Sequence, residues 1–331
     1  MTAAELSKSG KQARVNRVIL DTDLAMGAPG SDIDDGFALA LAVGDPRLSV
    51  ELITTVNGNT DVESATLLTQ ELLRRLGRET IRVVRGASAP LLRPDLARAG
   101  PETIRAEYGE YPDGPPYAAV EIARRIIDNP GEITVIAIGP LTNIATAIAL
   151  DARVAQRVRE IVVMGGVFLG HTHETGMPGE FNVWSDPEAA EAVLRSGAPV
   201  KWVGLDVTRQ VRLTHQDARE MASGGGAFGA FAGKYTNEWI DYQAGRHPGE
   251  SSHADSCAMH DPLAVAVVSH PEFVVWRPAH VSIVTGDGVA RGMTVTDLLG
   301  SHLAPEPNCQ IAVEVDVDRF RSHLLSTISG L

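Results

Sequence analysis

Five carboxylates fall within fifteen residues early in the chain: Asp21, Asp23, Asp32, Asp34 and Asp35. Asp21 and Asp23 follow the apolar run Val18 to Leu20. Asp34 and Asp35 open the run Phe37 to Val43. Like charges this close repel, and each raises the cost of ionising the next. A bound divalent cation makes such a cluster favourable. Ca²⁺ takes about six to eight oxygen ligands from carboxylates, carbonyls and water, and Asp23, Asp34 and Asp35 are donors of that kind. The competing use of an aspartate here is to cap the following helix, where it favours the dipole. For Asp32 both uses stand open.

Four later motifs place polar residues beside apolar runs. Thr54 to Asn59 leaves a strand through the turn signal Asn57-Gly58. Ile138-Gly-Pro-Leu-Thr-Asn143 takes a strand into a helix, and leaves a strand-end carbonyl free for a cation. Met164-Gly-Gly166 is followed by Glu180-Phe-Asn182. On extended chain, residues i and i+2 point to one side, so Glu180 and Asn182 could bond adjacent hydroxyls of a sugar; solvated loop residues are the alternative. His260-Asp261-Pro262 precedes Leu263 to Val268, so Asp261 is either a metal ligand or a helix cap, and His260 a candidate general acid. His171 and His173 fall in a Gly-rich loop and read as solvated.

These residues need a frame. Short β-type runs alternate with helical ones: strands at 15–20, 50–56, 81–84, 133–138, 161–164 and 200–205, and helices at 34–43, 62–76, 120–127, 141–150 and 186–196. Such alternation predicts an α/β fold, a mainly parallel, Rossmann-like open sheet with helices on both faces. Ligands bind at the carboxyl ends of the strands in that architecture, where the acidic cluster falls. Further strands are expected at 281–285 and 311–317. Two stretches read as loops or lids, 90–116 and the Gly-rich 224–249, which carries Trp239 and Tyr242 as rings able to stack on a base.

Composition narrows the partners. A formal net charge of −13 over 331 residues counts against nucleic acid and anionic membrane surfaces. No apolar run is long enough to span a bilayer. Cys257 and Cys309 form no CxxC pair, which fits a reducing, cytoplasmic location. Residues 1–16 lack the apolar core of a signal peptide and are expected to be a mobile tail before one domain, 17–331.

Taken in order, the motifs resemble the inosine-uridine preferring nucleoside hydrolase family, from about Arg17 to Phe320. Asp21-Thr-Asp23 with Asp34-Asp-Gly-Phe-Ala38 looks like its DxD…DD signature, and Asn59, Gly139 to Asn143, Met164 to Gly166, Glu180 to Asn182 and His260 to Pro262 follow in its order. The resemblance implies a nucleoside hydrolase fold and Ca²⁺-dependent hydrolysis of the N-glycosidic bond of ribonucleosides. By it, Asp23 binds Ca²⁺ and serves as general base. Asp35, Asp261 and the Ile138 carbonyl are further ligands. Asp34 holds the ribose 2′-hydroxyl, Asn182 the 3′ and Glu180 the 5′, while Asn59 and Met164 line the sugar site. His260 assists the leaving base, and Asp21 stands behind the ligands. A homodimer or homotetramer is also implied.

The sequence departs from the family in three places. Leu24 to Ile33 is a longer segment between the two acidic pairs, expected to bulge beside the site and to add Asp32. Glu174 stands where the family often has Asn. Tyr108 to Pro112 replaces a His-Gly-Glu-like run. Two other functions remain open. Asp21-Thr-Asp23 also resembles the nucleophile motif of haloacid-dehalogenase-type phosphatases, which needs a downstream Lys; past the tail only Lys201 and Lys234 exist. A protein that binds Ca²⁺ and a ribosyl ligand without turnover is the third reading.

Overall fold

The structure is a computed structural model that describes residues 15–110, 117–224, 226–250, 253–329 and 331. The expected N-terminal tail lies outside the described residues except for Val15 and Asn16, and Asn16 already belongs to the first strand. Part of the Tyr108 to Pro112 run also lies outside them.

The strands are β1 (Asn16–Thr22), β2 (Leu48–Thr55), β3 (Val83–Arg85), β4 (Ile133–Ala137), β5 (Glu160–Met164), β6 (Val200–Val203), β7 (Arg212–Thr214), β8 (Ser256–Ala258), β9 (Val274–Ile283), β10 (Thr294–Asp297) and β11 (Cys309–Val315). Nine of them form one sheet in the order β10-β9-β11-β6-β5-β4-β1-β2-β3; β7 and β8 pair separately. From β11 to β3 every neighbour is parallel, and β9 and β10 add an antiparallel edge. Parallel strands are covered on both faces, which is why β4 (Ile-Thr-Val-Ile-Ala) is buried throughout.

Helices from alternating segments cover both faces. One face packs Val18 and Leu20 against Phe37, Leu68, Leu263 and Leu324. The other packs Ile19 and Val135 against Ile122, Ile144 and Val193. The chain lays down β1, β2 and β3 in one direction, then returns to place β4 on the other side of β1. This reversal opens a crevice at the carboxyl ends of β1 and β4, the usual ligand position in such sheets.

Two expectations fail here. The Gly-rich stretch 224–249 is mostly a helix, Ala227–Arg246. Its Phe228, Phe231, Ala232 and Tyr235 keep helical spacing and join the core. Its glycines serve close packing on the helix His215–Ser223: a Cβ at Gly233 would lie 2.4 Å from the Ala218 carbonyl oxygen. The segment Leu24–Ile33 does not bulge outward either. Leu24 to Ala28 are buried, and Gly27, at φ +114°, sits against Leu68 and Phe231. The 90–116 stretch contains a short helix, Glu102–Tyr108.

Candidate active site

The period-2 alternation of β1 distributes its last residues between two helices. Asp21 faces the helix Thr142–Leu150, where Asn143 Nδ2 donates to Asp21 Oδ1 at 2.8 Å and Thr54 Oγ1 donates to the same oxygen. Thr22 faces the helix Asp34–Gly44 and donates to Asp35 Oδ1, while accepting from the Leu24 N–H at 3.1 Å. Asp23 then enters the crevice. The backbone N–H of Asn59 donates to Asp23 Oδ2 at 2.7 Å, and Asn59 Nδ2 donates to Asp35 Oδ2 at 3.1 Å. Asn59 therefore spans two of the candidate ligands from the end of β2. Gly58 permits this approach, since a Cβ there would lie 2.0 Å from Asp23 Oδ2.

A second helix closes the cluster. Asp34 Oδ2 accepts from the backbone N–H groups of His260 and Asp261, at 3.0 and 3.1 Å. Asp34 thus satisfies donors at the start of the helix His260–Ser269 across 226 residues of sequence. Candidate ligand oxygens of Asp34, Asp35 and Asp261 lie within 4.8 Å of one another, and all three residues are buried. Asp32 accepts from the Ile33 N–H at 2.7 Å and stands beside Asp34. Its side chain is no helix cap: the N-cap position of Asp34–Gly44 is Ile33, which makes no side-chain bond.

The third wall comes from β5 and the loop after it. Glu180 caps the helix Phe181–Ser185, accepting from Asn182 N at 2.9 Å and Val183 N at 3.1 Å, and takes the Gly166 N–H at 3.1 Å as well. Asn182 Nδ2 donates to the carbonyls of Ile138 and Met164, each at 3.1 Å. A carbonyl carries two lone pairs, so Ile138 keeps one for a second partner. His260 is half-buried, with Nδ1 bonded to Thr208 Oγ1 at 2.7 Å. His171 and His173 are exposed. Tyr242 stacks on Trp239 and lies over Gly30 rather than in the core.

Burial governs the charges. It pushes Asp23 up to about 8, with Asp34 and Glu180 adding repulsion, and Glu180 and Asp21 up to about 7. Asp35, Asp261 and Asp32 also rise well above the carboxylate range, through burial first and then through the charge of Asp23 on Asp35 and of Asp34 on Asp261 and Asp32. Asp23 Oδ1 is buried without a hydrogen-bond partner. Such an orphan in an all-oxygen donor set fits a hard cation.

Thr22 and Thr208 were not singled out by sequence. Thr22 had a signal, its place between two aspartates at a strand end. Thr208 had none, since it comes from the short helix Leu205–Thr208 that only folding brings to His260.

Residues 18–322 match the sequence profile of the family described as inosine-uridine preferring nucleoside hydrolase. The chain belongs to this family. It is an enzyme that hydrolyses the N-glycosidic bond of ribonucleosides, and the family is metal-dependent. A non-specific ribonucleoside hydrolase, RihC, from Salmonella newport is 35% identical over 92% of this chain and 94% of its own length. A probable uridine nucleosidase 2 from Oryza sativa subsp. japonica is 33% identical over 85% of this chain and 82% of its own. Among solved structures, a purine-preferring ribonucleoside hydrolase from Gardnerella vaginalis superposes with a TM-score of 0.81 at 27% identity, covering 95% of this chain and 98% of that one.

Membership in this family sets aside the phosphatase and the non-catalytic readings. The site agrees. Asp21 is fully buried and held by Thr54 and Asn143, while Lys201 pairs with Glu160 and Lys234 with Glu238. Among the described residues no helix is long and apolar enough to cross a membrane.

Proposed function

We propose that this nucleoside hydrolase uses Ca²⁺, held by Asp23, Asp35, Asp261 and the Ile138 carbonyl, with Asp23 as general base. The observation that carries this reading is the orphaned Asp23 Oδ1 beside the buried carboxylates of Asp34, Asp35 and Asp261. Oxygen donors select Ca²⁺ or Mg²⁺ over softer metals, and a mixed carboxylate and carbonyl set suits Ca²⁺. When bound, the ion neutralises the cluster and acidifies and positions a water.

The residues supply the rest. Asp23 takes the proton of the attacking water, and the Asn59 N–H on its Oδ2 fixes the carboxylate for that transfer. Breaking the bond develops positive charge on the ribose, as in glycoside hydrolysis. The surrounding carboxylates stabilise that charge where it appears. Asp34 takes the 2′-hydroxyl, Asn182 the 3′ and Glu180 the 5′, with Asn59 and Met164 lining the sugar. Glu180 is fixed by three backbone donors, so it offers a preset position. Thr208 engages Nδ1 of His260, which leaves Nε2 as the nitrogen that gives a hydrogen to the departing base.

Ribose release from uridine, cytidine, inosine and adenosine, measured with Ca²⁺ and with chelator, tests this reading. Release only with Ca²⁺ is expected, and the panel reads the base preference. Full activity in chelator, or with Zn²⁺ but not Ca²⁺, removes the Ca²⁺ assignment. A cytoplasmic homodimer or homotetramer acting on free nucleosides, with no nucleic acid or membrane partner, completes the proposal. The acidic net charge supports the absence of nucleic acid and anionic membrane partners.

A further inference from the structure

The helices Asp34–Gly44 and His260–Ser269 pack against each other, and both start in the acidic cluster. Both also end together. Asp45 follows the first, His270 follows the second, and His323 joins them from the helix Val317–Ile328. The Asp45 side chain is 1% exposed, His270 15% and His323 18%. His323 Nε2 lies 3.5 Å from Asp45 Oδ2, and His270 Nε2 lies 3.9 Å from the same oxygen. One candidate ligand atom from each residue falls within 4.8 Å of the others.

We propose that Asp45, His270 and His323 form a second metal site, specific for a Zn²⁺-class divalent ion, at the far end of this helix pair from the acidic cluster. Two imidazoles and a carboxylate are a borderline donor set that favours Zn²⁺, Co²⁺ or Ni²⁺ over Ca²⁺. Tetrahedral zinc with bonds of roughly 2.0–2.1 Å places its ligand atoms about 3.3 Å apart, so small turns of two part-exposed rings close the set.

Three details argue for a metal over a simple ion pair. His323 Nε2 is buried, and its contact to Asp45 Oδ2 at 3.5 Å is too long for a good hydrogen bond but close enough for a shared metal. Glu272 Oε1 lies 3.3 Å from His270 Nδ1, the carboxylate–histidine arrangement that presents the opposite nitrogen to a metal. Arg47 Nη1 also approaches Nδ1 at 3.2 Å, but keeps a bond to the Ser269 carbonyl when Nδ1–H turns to Glu272. Asp45 is fixed in advance, with Oδ1 accepting from Arg47 N at 2.8 Å and Oδ2 from Ser269 Oγ at 2.6 Å. An open cleft of about 530 Å³, lined by His270, Glu272, Asp318 and His323, gives entry and leaves a position for water.

The test uses the full chain, stripped with chelator and returned to excess Ca²⁺ so that the carboxylate cluster is saturated. Co²⁺ is then titrated by its visible spectrum and Zn²⁺ by calorimetry. One Co²⁺ per chain is expected, with affinity falling about tenfold or more in His323→Ala and His270→Gln. Zn²⁺ should raise the melting temperature of the unaltered chain by about 5 °C, and neither variant should respond. Nucleoside hydrolysis in Ca²⁺ should persist in both variants, which shows that they are folded. Absence of Co²⁺ and Zn²⁺ binding, or binding unchanged in both variants, overturns the proposal.

Discussion

One pair of helices carries opposite chemistry at its two ends. At their N-termini, Asp34, Asp35 and Asp261 crowd with Asp23, with neighbours that are mostly other acids, and burial raises Asp23, Asp35 and Asp261. At their C-termini Asp45 is almost as little exposed, but it faces two imidazoles, a hydroxyl and a backbone N–H. Burial acts to raise Asp45 too; His323, Ser269 and Arg47 N outweigh it and hold the group at about 2. Low exposure alone therefore does not set the charge state. The partners decide, and here they divide one helix pair into a site that needs a cation and one already close to balance.

The largest effect should come from Asp23. Asp23→Asn removes the base and leaves an oxygen able to bind Ca²⁺. We expect kcat to fall by about 10³-fold or more while the melting temperature changes little. A rise in KM alone, with kcat intact, would show that Asp23 binds but does not take the proton. The same substitution at Asp45 should leave kcat unchanged, since that end touches no substrate.

Next comes the pH dependence of the metal-free enzyme. Asp23, Asp21 and Glu180 sit at about 8, 7 and 7 when folded, above their unfolded values. The folded state then binds more protons than the unfolded one between about pH 4 and 8, so stability falls as pH rises across that window. The melting temperature in chelator should drop by roughly 5 °C or more from pH 5 to pH 8, and Ca²⁺ should flatten the slope. A flat profile in chelator would mean that the cluster is not strained without its ion.

The acidic end was legible in the sequence; the other end was not. Asp21, Asp23, Asp34 and Asp35 lie close in sequence, at the edges of apolar runs that only a strand and a helix explain, so their meeting needed one βα unit. Asn59, Glu180 and Asn182 were found through motifs at other strand ends, which a parallel sheet brings to one edge. Asp45, His270 and His323 share no local pattern. Only the packing of Asp34–Gly44 on His260–Ser269, and of the C-terminal helix on both, brings them together. The helix Ala227–Arg246 was missed for a related reason: its glycines read as loop signals, and their purpose, room for the Ala218 backbone, exists only once the helices pack.

A smaller effect tests how His260 is aimed. Thr208 touches no reacting atom in our scheme and acts by holding Nδ1. Thr208→Val should lower kcat about tenfold, near 1.4 kcal/mol, with KM little changed. The loss should be greater for nucleosides whose base is a poorer leaving group. Thr208→Ser should restore most of the activity. An equal loss with every base would point to packing rather than to the proton.

The smallest effect lies at the far end and has the opposite sign to the pH slope above. Asp45 is held below its unfolded value, so its contribution is fully present above about pH 4 and is lost as pH falls from there through about 2. Partial exposure of the imidazoles limits it to about 1 kcal/mol. Urea midpoints of the metal-free chain and of Asp45→Asn should therefore differ at pH 6 and converge toward about pH 2. Below about pH 4 the Asp45 pairing makes the fold more stable as pH rises, and above it the acidic cluster makes the fold less so. If Asp45→Asn leaves the acid side of the profile unchanged, the His323 contact contributes nothing without a metal. Asp45 would then be held by Ser269 and the Arg47 backbone alone, and the contrast between the two ends would rest on the ion that each one binds.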